Sequence, residues 1–284
     1  MKRSIINVLK ECLPPAVARF LSLVLVRKTF KGNFASWKAA LDASTGYDSD
    51  RIVNKVKESA RKVRDGNAAY ERDSVLFDTV QYSWPVLAGI LWVTSRSGNR
   101  LSLVDFGGAL GSSYYQNRGF LDHLEFLRWS IVEQEKFVTI GKSEFENPQL
   151  HFYGDLGECY RQESPQILLL SSVLQYLEDP YRFLQKAISL GFEYIIVDRT
   201  LFFEEGPEEI SVQVVPQDIY RASYPAWFLD RRKFLSFLLA AYDINAEFNS
   251  LAGSVRLGGR IANDKGFIFT RKRRQVDPGK HRTG

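Results

Sequence analysis

An acid followed by small residues marks the part of this chain best suited to chemistry. The stretch Val104-Asp-Phe-Gly-Gly-Ala-Leu-Gly-Ser-Ser-Tyr-Tyr-Gln116 closes an apolar run with Asp105, then places Gly107, Gly108, Ala109 and Gly111 in quick succession. Glycine removes the Cβ and admits left-handed backbone, so such a turn lets the main chain come close to whatever lies against it. The spacing is acid-x-Gly-x-Ala-x-Gly, not the G-x-G-x-x-G of dinucleotide-binding turns. A second apolar run, Trp129-Ser-Ile-Val, ends on another acid, Glu133, 28 positions after Asp105. Further along, Tyr153-Gly154-Asp155, Ser171 to Gln175 and Asp198-Arg199 each follow an apolar run.

These loops need a scaffold, and the sequence changes rhythm to supply one. From residue 101 onward, short β-type runs (101–106, 129–132, 150–153, 167–170 and 194–197) alternate with amphipathic segments. Continuous apolar strands of this kind suit a parallel sheet covered on both faces. Asp179-Pro180 opens a helix, with Asp as N-cap and Pro in the first turn, and Gly191 closes it. Residues 199–228, rich in aromatics and proline, read as a long connection and a candidate substrate lid. A helix over 231–241 follows, and 243–248 with 266–271 read as a hairpin that adds one antiparallel strand at the sheet's end. Upstream, residues 1–73 read as a helical extension, with apolar residues at helical spacing over 35–43 and 52–63, and a further helix is expected over 74–94.

Charge is localised. Residues 271–284 hold six Lys/Arg and one Asp, while residues 1–270 carry 32 basic and 32 acidic residues. The basicity therefore belongs to a short Pro/Gly-containing tail, expected to be disordered, and the body makes no electrostatic case for nucleic acid. The first 40 residues carry eight Lys/Arg against one Glu, and 16–26 are largely apolar. That segment reads as a helix packed on its own domain, with peripheral contact to an anionic membrane as the alternative. Cys12 and Cys159 form neither a disulfide framework nor a metal-ligand spacing, so no metal is expected and a cytoplasmic, reducing compartment fits.

Motif by motif, the chain resembles the class I S-adenosylmethionine methyltransferases. Asp105-x-Gly107-x-Ala109-x-Gly111 resembles their first motif, although Ala109 stands where glycine is more usual. More narrowly, Asp105–Tyr114, Ile131-Val-Glu-Gln134, Leu174-Gln-Tyr-Leu-Glu-Asp-Pro180 and Tyr220-Arg-Ala-Ser-Tyr-Pro-Ala-Trp227 together resemble a family of largely uncharacterised methyltransferases associated with bacterial surface-polysaccharide gene clusters. Ser36-Trp37, Gly46-Tyr47 and Tyr70-Glu-Arg-Asp-Ser74 fit it too, so the resemblance runs from about residue 30 to 270. It implies a Rossmann-like α/β fold: a doubly wound, mostly parallel seven-stranded sheet with one antiparallel edge strand, spanning 74–270.

The resemblance also assigns roles. Asp105, Gly107, Gly108, Ala109 and Gly111 would lie against the methionine part and ribose of S-adenosylmethionine, and Glu133 would take both ribose hydroxyls. Asp155 would accept from the adenine amino group, with turn chemistry as its plain alternative. Ser171 would line the cofactor, and Gln175, Arg199 and Tyr224 would face the acceptor. The segment 171–180 lacks the Asn/Asp-Pro-Pro-aromatic tetrad of base-amino methylation, which disfavours a nucleobase substrate. His123, His151 and His281 stand away from these motifs, so no histidine base is expected. Arg199 has an alternative as an ion-pair partner of Glu204-Glu205, and Tyr224 and Trp227 as packing of the N-terminal helices onto the sheet. One of Tyr114 and Tyr115 is expected to face the cofactor.

The expected activity is methyl transfer to an oxygen of a small-molecule, sugar or glycan-linked acceptor. The alternatives are a catalytically silent scaffold in glycan assembly and a nucleotide-sugar or dinucleotide enzyme. The absent G-x-G-x-x-G and Tyr-x-x-x-Lys pair disfavour the last.

Overall fold

The computed structural model of the chain describes residues 30–45, 49–216 and 222–273. Residues 16–26, Gly46 and Tyr47, Tyr220 and the tail from residue 274 lie outside the described residues, so the membrane-contact and tail expectations do too.

Elements follow in chain order: β1 (Phe30–Phe34), α1 (Trp37–Asp42), α2 (Ser49–Arg64), β2 (Tyr70–Arg72), β3 (Val75–Phe77), α3 (Trp84–Arg96), β4 (Arg100–Phe106), α4 (Ser112–Asn117), β5 (Phe126–Val132), α5 (Glu135–Ile140), β6 (Leu150–Tyr153), α6 (Leu156–Glu163) and β7 (Ile167–Ser171). Then come α7 (Pro180–Leu190), β8 (Tyr194–Phe203), β9 (Glu209–Val214), β10 (Ser223–Asp230), α8 (Arg231–Leu239), β11 (Tyr242–Leu257) and β12 (Arg260–Arg271).

Seven strands lie in the order β6-β5-β4-β7-β8-β12-β11. The first five are mutually parallel, with Asp105 beside Ile131 on one side and Leu169 on the other, and Ser171 beside Asp198. β12 is antiparallel to both β8 and β11, so it alone of these seven runs against the rest, next to the β11 edge. This is the doubly wound, Rossmann-like sheet, and its order reverses beside β4, the switch point beyond whose carboxyl ends open α/β sheets place a ligand crevice. The core is apolar on both faces: Trp129, Ile131 and Ile196 are buried on one, Leu170, Phe202 and Phe267 on the other.

Local chemistry sets the helix ends. Asp179 caps α7 by accepting from the Arg182 N–H at 2.9 Å, and Gly191 ends it at φ 100°. Glu144 takes Lys57 and Arg61 of α2 at 2.6 Å each, tying that helix to the segment after α5.

Three upstream expectations change. Residues 30–34 are strand, not helix: β1 pairs antiparallel with β9, and Phe30 packs edge-on against Phe228 at 4.9 Å. The helix expected from Ser74 begins at Trp84, because Asp73 and Ser74 form a left-handed turn (φ 52° and 65°) that folds β2 against β3. The boundary drawn at residues 73/74 therefore cuts a hairpin. Likewise, the described part of 199–228 is mostly strand: the far half of β8, then β9 and β10, which extend the sheet through Leu229 beside Phe202. Trp227 packs the N-terminal region as its plainer alternative required, stacked on Trp37 at 6.2 Å.

Gly266 shows how tightly β12 is wedged. A Cβ there would stand 2.7 Å from the Val197 carbonyl oxygen and run into the Phe248 ring. Gly266→Ala is expected to destabilise the fold by about 1–3 kcal/mol in urea unfolding. Gly119→Ala, with nothing within 4 Å of the new methyl, is expected to match wild type.

Candidate functional site

At the carboxyl end of β4 the acid of the glycine turn points back into the protein. Asp105 is buried, and its Oδ2 accepts from the Trp129 indole N–H at 3.2 Å. The carboxyl lies directly beneath Gly108, where a Cβ would stand 2.6 Å from Oδ2; a Cβ on Gly107 would meet Val173 Cγ2 at 2.7 Å. The glycines thus admit groups of this same chain to the underside of the loop. Gly107 and Gly111 have φ of 74° and 99°, and Ala109 adopts φ 51° without being glycine.

Glu133 ends β5 half-buried, one carboxylate oxygen accepting from the Gln134 N–H at 2.7 Å. Its carboxyl is raised by burial and partly restored by hydrogen bonds from the Gln134 and Ala109 backbones. The loop is tied to this strand end, since the Gly107 N–H donates to the Val132 carbonyl, just before Glu133, at 2.9 Å.

Across the crevice, Ser171, Gln175 and Arg199 also come together. The Arg199 Nε donates to Ser171 Oγ at 3.3 Å, and Gln175 Nε2 donates to the Arg199 carbonyl at 3.1 Å. Ser171 and Ser250 hydroxyls donate to Asp198 at 3.1 and 2.8 Å. Arg199 pairs with Asp73 of the β2–β3 turn at 3.7 Å, whereas Glu204 and Glu205 take Arg231, Lys265 and Arg232 instead. Neither terminal guanidinium nitrogen has a hydrogen bond among the described residues, and the buried Gln175 Oε1 also lacks one.

Other candidates stand apart. Asp155 is exposed; one oxygen caps α6 through the Glu158 N–H at 2.9 Å and the other pairs with Lys186 at 2.9 Å, so the turn chemistry accounts for both oxygens. Tyr224, on β10, packs edge-on against Tyr176 at 5.2 Å and against the cluster of Ile52, Val215 and Ala222. Tyr114 is committed to the core and to Gln149 at 2.9 Å, while Tyr115 packs near Gly111 beneath Arg118. His151 lies between Arg128 and Glu146, with no contact to the loop.

The sequence reading missed Tyr70, Glu71 and Asp73, although Tyr70-Glu-Arg-Asp-Ser74 was conspicuous. Glu71 is 2% exposed and accepts from Ser112, the first residue of α4, and from the Ser74 N–H at 3.1 Å. Backbone strain converges here as well. Of seven non-glycine residues with left-handed φ among the described residues, five (Asp73, Ser74, Ala109, Ser172 and Arg199) lie in the β2–β3 turn, the glycine loop and the segments that follow Ser171 and Asp198. Such conformations gather where a site over-determines the chain.

The residues present fit an adenosyl sulfonium group. Glu133 offers a diol two acceptor oxygens beside the loop, while Asp73 and Asp198 flank Arg199 across the strand ends.

No protein-family model matches the chain, and no curated protein matches it. Solved structures do resemble it distantly. The N-terminal domain of EvdMO1, crystallised in the presence of SAH and D-fucose, is 14% identical with a TM-score of 0.47, over 80% of this chain and 97% of that one. The 1,6-didemethyltoxoflavin-N1-methyltransferase of Burkholderia thailandensis is 11% identical, TM-score 0.41, over 81% and 92%. Magnesium protoporphyrin IX methyltransferase from Synechocystis PCC 6803 is 14% identical, TM-score 0.42, over 80% and 92%. At these distances the likenesses say nothing of the site, and the fold rests on the strand order itself.

Burial lifts the Asp105 carboxyl to about 7. The folded chain then keeps a proton that an unfolded aspartate releases near pH ~4. Below that pH the tighter proton hold contributes fully to stability, and the contribution is lost as pH rises through about 7. Asp105→Asn retains an acceptor for Trp129 and removes the titration. Its urea-unfolding free energy is expected to fall less than wild type's between those pH values.

Proposed function

We propose that this chain is an S-adenosylmethionine-dependent methyltransferase that methylates an oxygen of a sugar or glycan-linked acceptor. The observation that carries the cofactor half is the juxtaposition of the glycine loop and the acid-ended strand: the Gly107 N–H donates to the Val132 carbonyl at 2.9 Å, so the loop leaving β4 is tied to the end of β5 immediately before Glu133. When bound, the cofactor supplies an activated methyl carbon for in-line displacement, so the protein's part is positioning and exclusion of water.

In this reading each residue has a defined task. Glu133 accepts from both hydroxyls of a ribose, the charge-assisted kind of hydrogen bond. Asp105, beneath Gly108, fixes the loop's height. Ser171 orients Arg199, whose terminal N–H groups stand ready as donors, and Gln175 Oε1 as an acceptor, for an acceptor hydroxyl. Tyr176 donates to Gln213 at 2.7 Å and burial pushes its hydroxyl up to about 12, so it stays neutral and serves as a donor rather than a base. The oxygen acceptor and its sugar class extend the family resemblance.

One feature favours a second reading, a catalytically silent member acting as a scaffold in glycan assembly. Ala109 holds a left-handed φ of 51° where glycine is more usual, which costs roughly 1 kcal/mol and narrows the crest.

Calorimetric titration with S-adenosylhomocysteine separates the two. Wild type is expected to bind in the micromolar range, Glu133→Ala at least tenfold more weakly, and NAD⁺ not at all. A folded wild-type chain that binds no S-adenosylhomocysteine would sink the enzyme reading and leave the scaffold.

A further inference from the structure

We propose that Glu71 is a positioning residue of the cofactor site, through which the β2–β3 hairpin fixes the exit of the glycine loop. The inference rests on the methyltransferase reading above. Glu71 is 2% exposed and makes no ion pair among the described residues. Burying a carboxyl without a cation is costly unless hydrogen bonds replace its water. Here both oxygens are used, and they join two separate elements: Oε1 accepts from Ser112 Oγ and Oε2 from the Ser74 N–H at 3.1 Å.

Ser112 is the first residue of α4, directly after Gly111 at φ 99°. That helix has no side-chain cap of its own, so the serine hydroxyl is a fixed point where the loop turns into the helix. The hairpin is itself anchored, because Ser59 of α2 donates to the Ser74 carbonyl at 3.1 Å. Its turn also carries Asp73, 3.7 Å from Arg199 Nη1. One short hairpin therefore touches the exit of the cofactor loop on one side and the acceptor arginine on the other. A hairpin that served only to cover the fold would be met by an apolar side chain at this depth. An acid aimed at Ser112 makes the loop's position depend on the hairpin.

The test is calorimetric titration of S-adenosylhomocysteine into wild type, Ser112→Ala, Glu71→Ala and Glu71→Gln, each with a thermal melt. Loss of a hydrogen bond to a carboxylate corresponds to roughly tenfold in affinity when the bond sets the loop. Ser112→Ala and Glu71→Ala are expected to bind about tenfold more weakly than wild type. Glu71→Gln, whose amide still bonds the Ser112 hydroxyl, is expected to recover most of the affinity, a rescue that simple filling of space would not produce. If Glu71→Ala fails to fold, Ser112→Ala carries the test, since it leaves the Glu71 bond to the Ser74 N–H in place. Wild-type affinity in folded Ser112→Ala overturns the proposal, as does Glu71→Gln binding no better than Glu71→Ala. Absence of binding by wild type itself is a different result, which removes the methyltransferase reading beneath it.

Discussion

Asp105 lies under Gly108, and much of this end of the molecule follows from keeping it there. A carboxyl group excluded from water must be hydrogen-bonded or protonated, and Asp105 draws on both: the Trp129 indole donates to it, and burial raises its proton affinity. Trp129 can reach because parallel pairing of β4 with β5 sets Leu103 beside it, one turn of pleat below the acid. The loop can pass above because Gly108 has no side chain. Remove any one of the three and the crest of the loop moves relative to Glu133.

The same physics explains why acids are tolerated so densely here. Asp198 is solvated by two serine hydroxyls and faces Arg199; Glu71 is solvated by Ser112 and a backbone N–H; Asp105 by an indole. Each has found hydrogen bonds in place of water, yet burial still raises the proton affinity of Glu71, Asp105 and Glu133. A cation beside them would draw out their charged forms, and an anion would hold them protonated.

What the sequence revealed, and what it hid, divides along local and non-local chemistry. The strand Leu150–Tyr153, the capped start of α7 and its glycine end were legible because a few neighbouring residues decide them. Asp105, the loop glycines and Glu133 were legible because strand ends and glycines are local signals. The β2–β3 hairpin was not. Its apolar residues run on toward α3 at helical spacing, and only the left-handed Asp73-Ser74 turn breaks the run, with no glycine or proline to announce it. Glu71 reads as a solvated acid in a charged stretch until Ser112 arrives from forty-odd residues away. Arg199 was weighed against Glu204-Glu205, its sequence neighbours, but strand geometry carries those toward Arg231, Arg232 and Lys265 and leaves Asp73 as its partner.

The added strands give the acceptor side its shape. β8 runs on past Arg199, and β10 joins it there, so β9 and β10 stand against the segment that follows β7. Tyr176 of that segment donates to Gln213 of β9, and the Trp227 indole of β10 donates to the Leu177 carbonyl at 3.1 Å. Gln175 lies between these fixed points, which is why its amide can be held with one oxygen free in a buried place. Burial keeps the Tyr176 hydroxyl neutral, and His151 is bonded to Arg128 and paired with Glu146. On the proposed reading, selectivity at this site comes from where donors and acceptors are fixed, and the paired strands β9 and β10 form one wall of it.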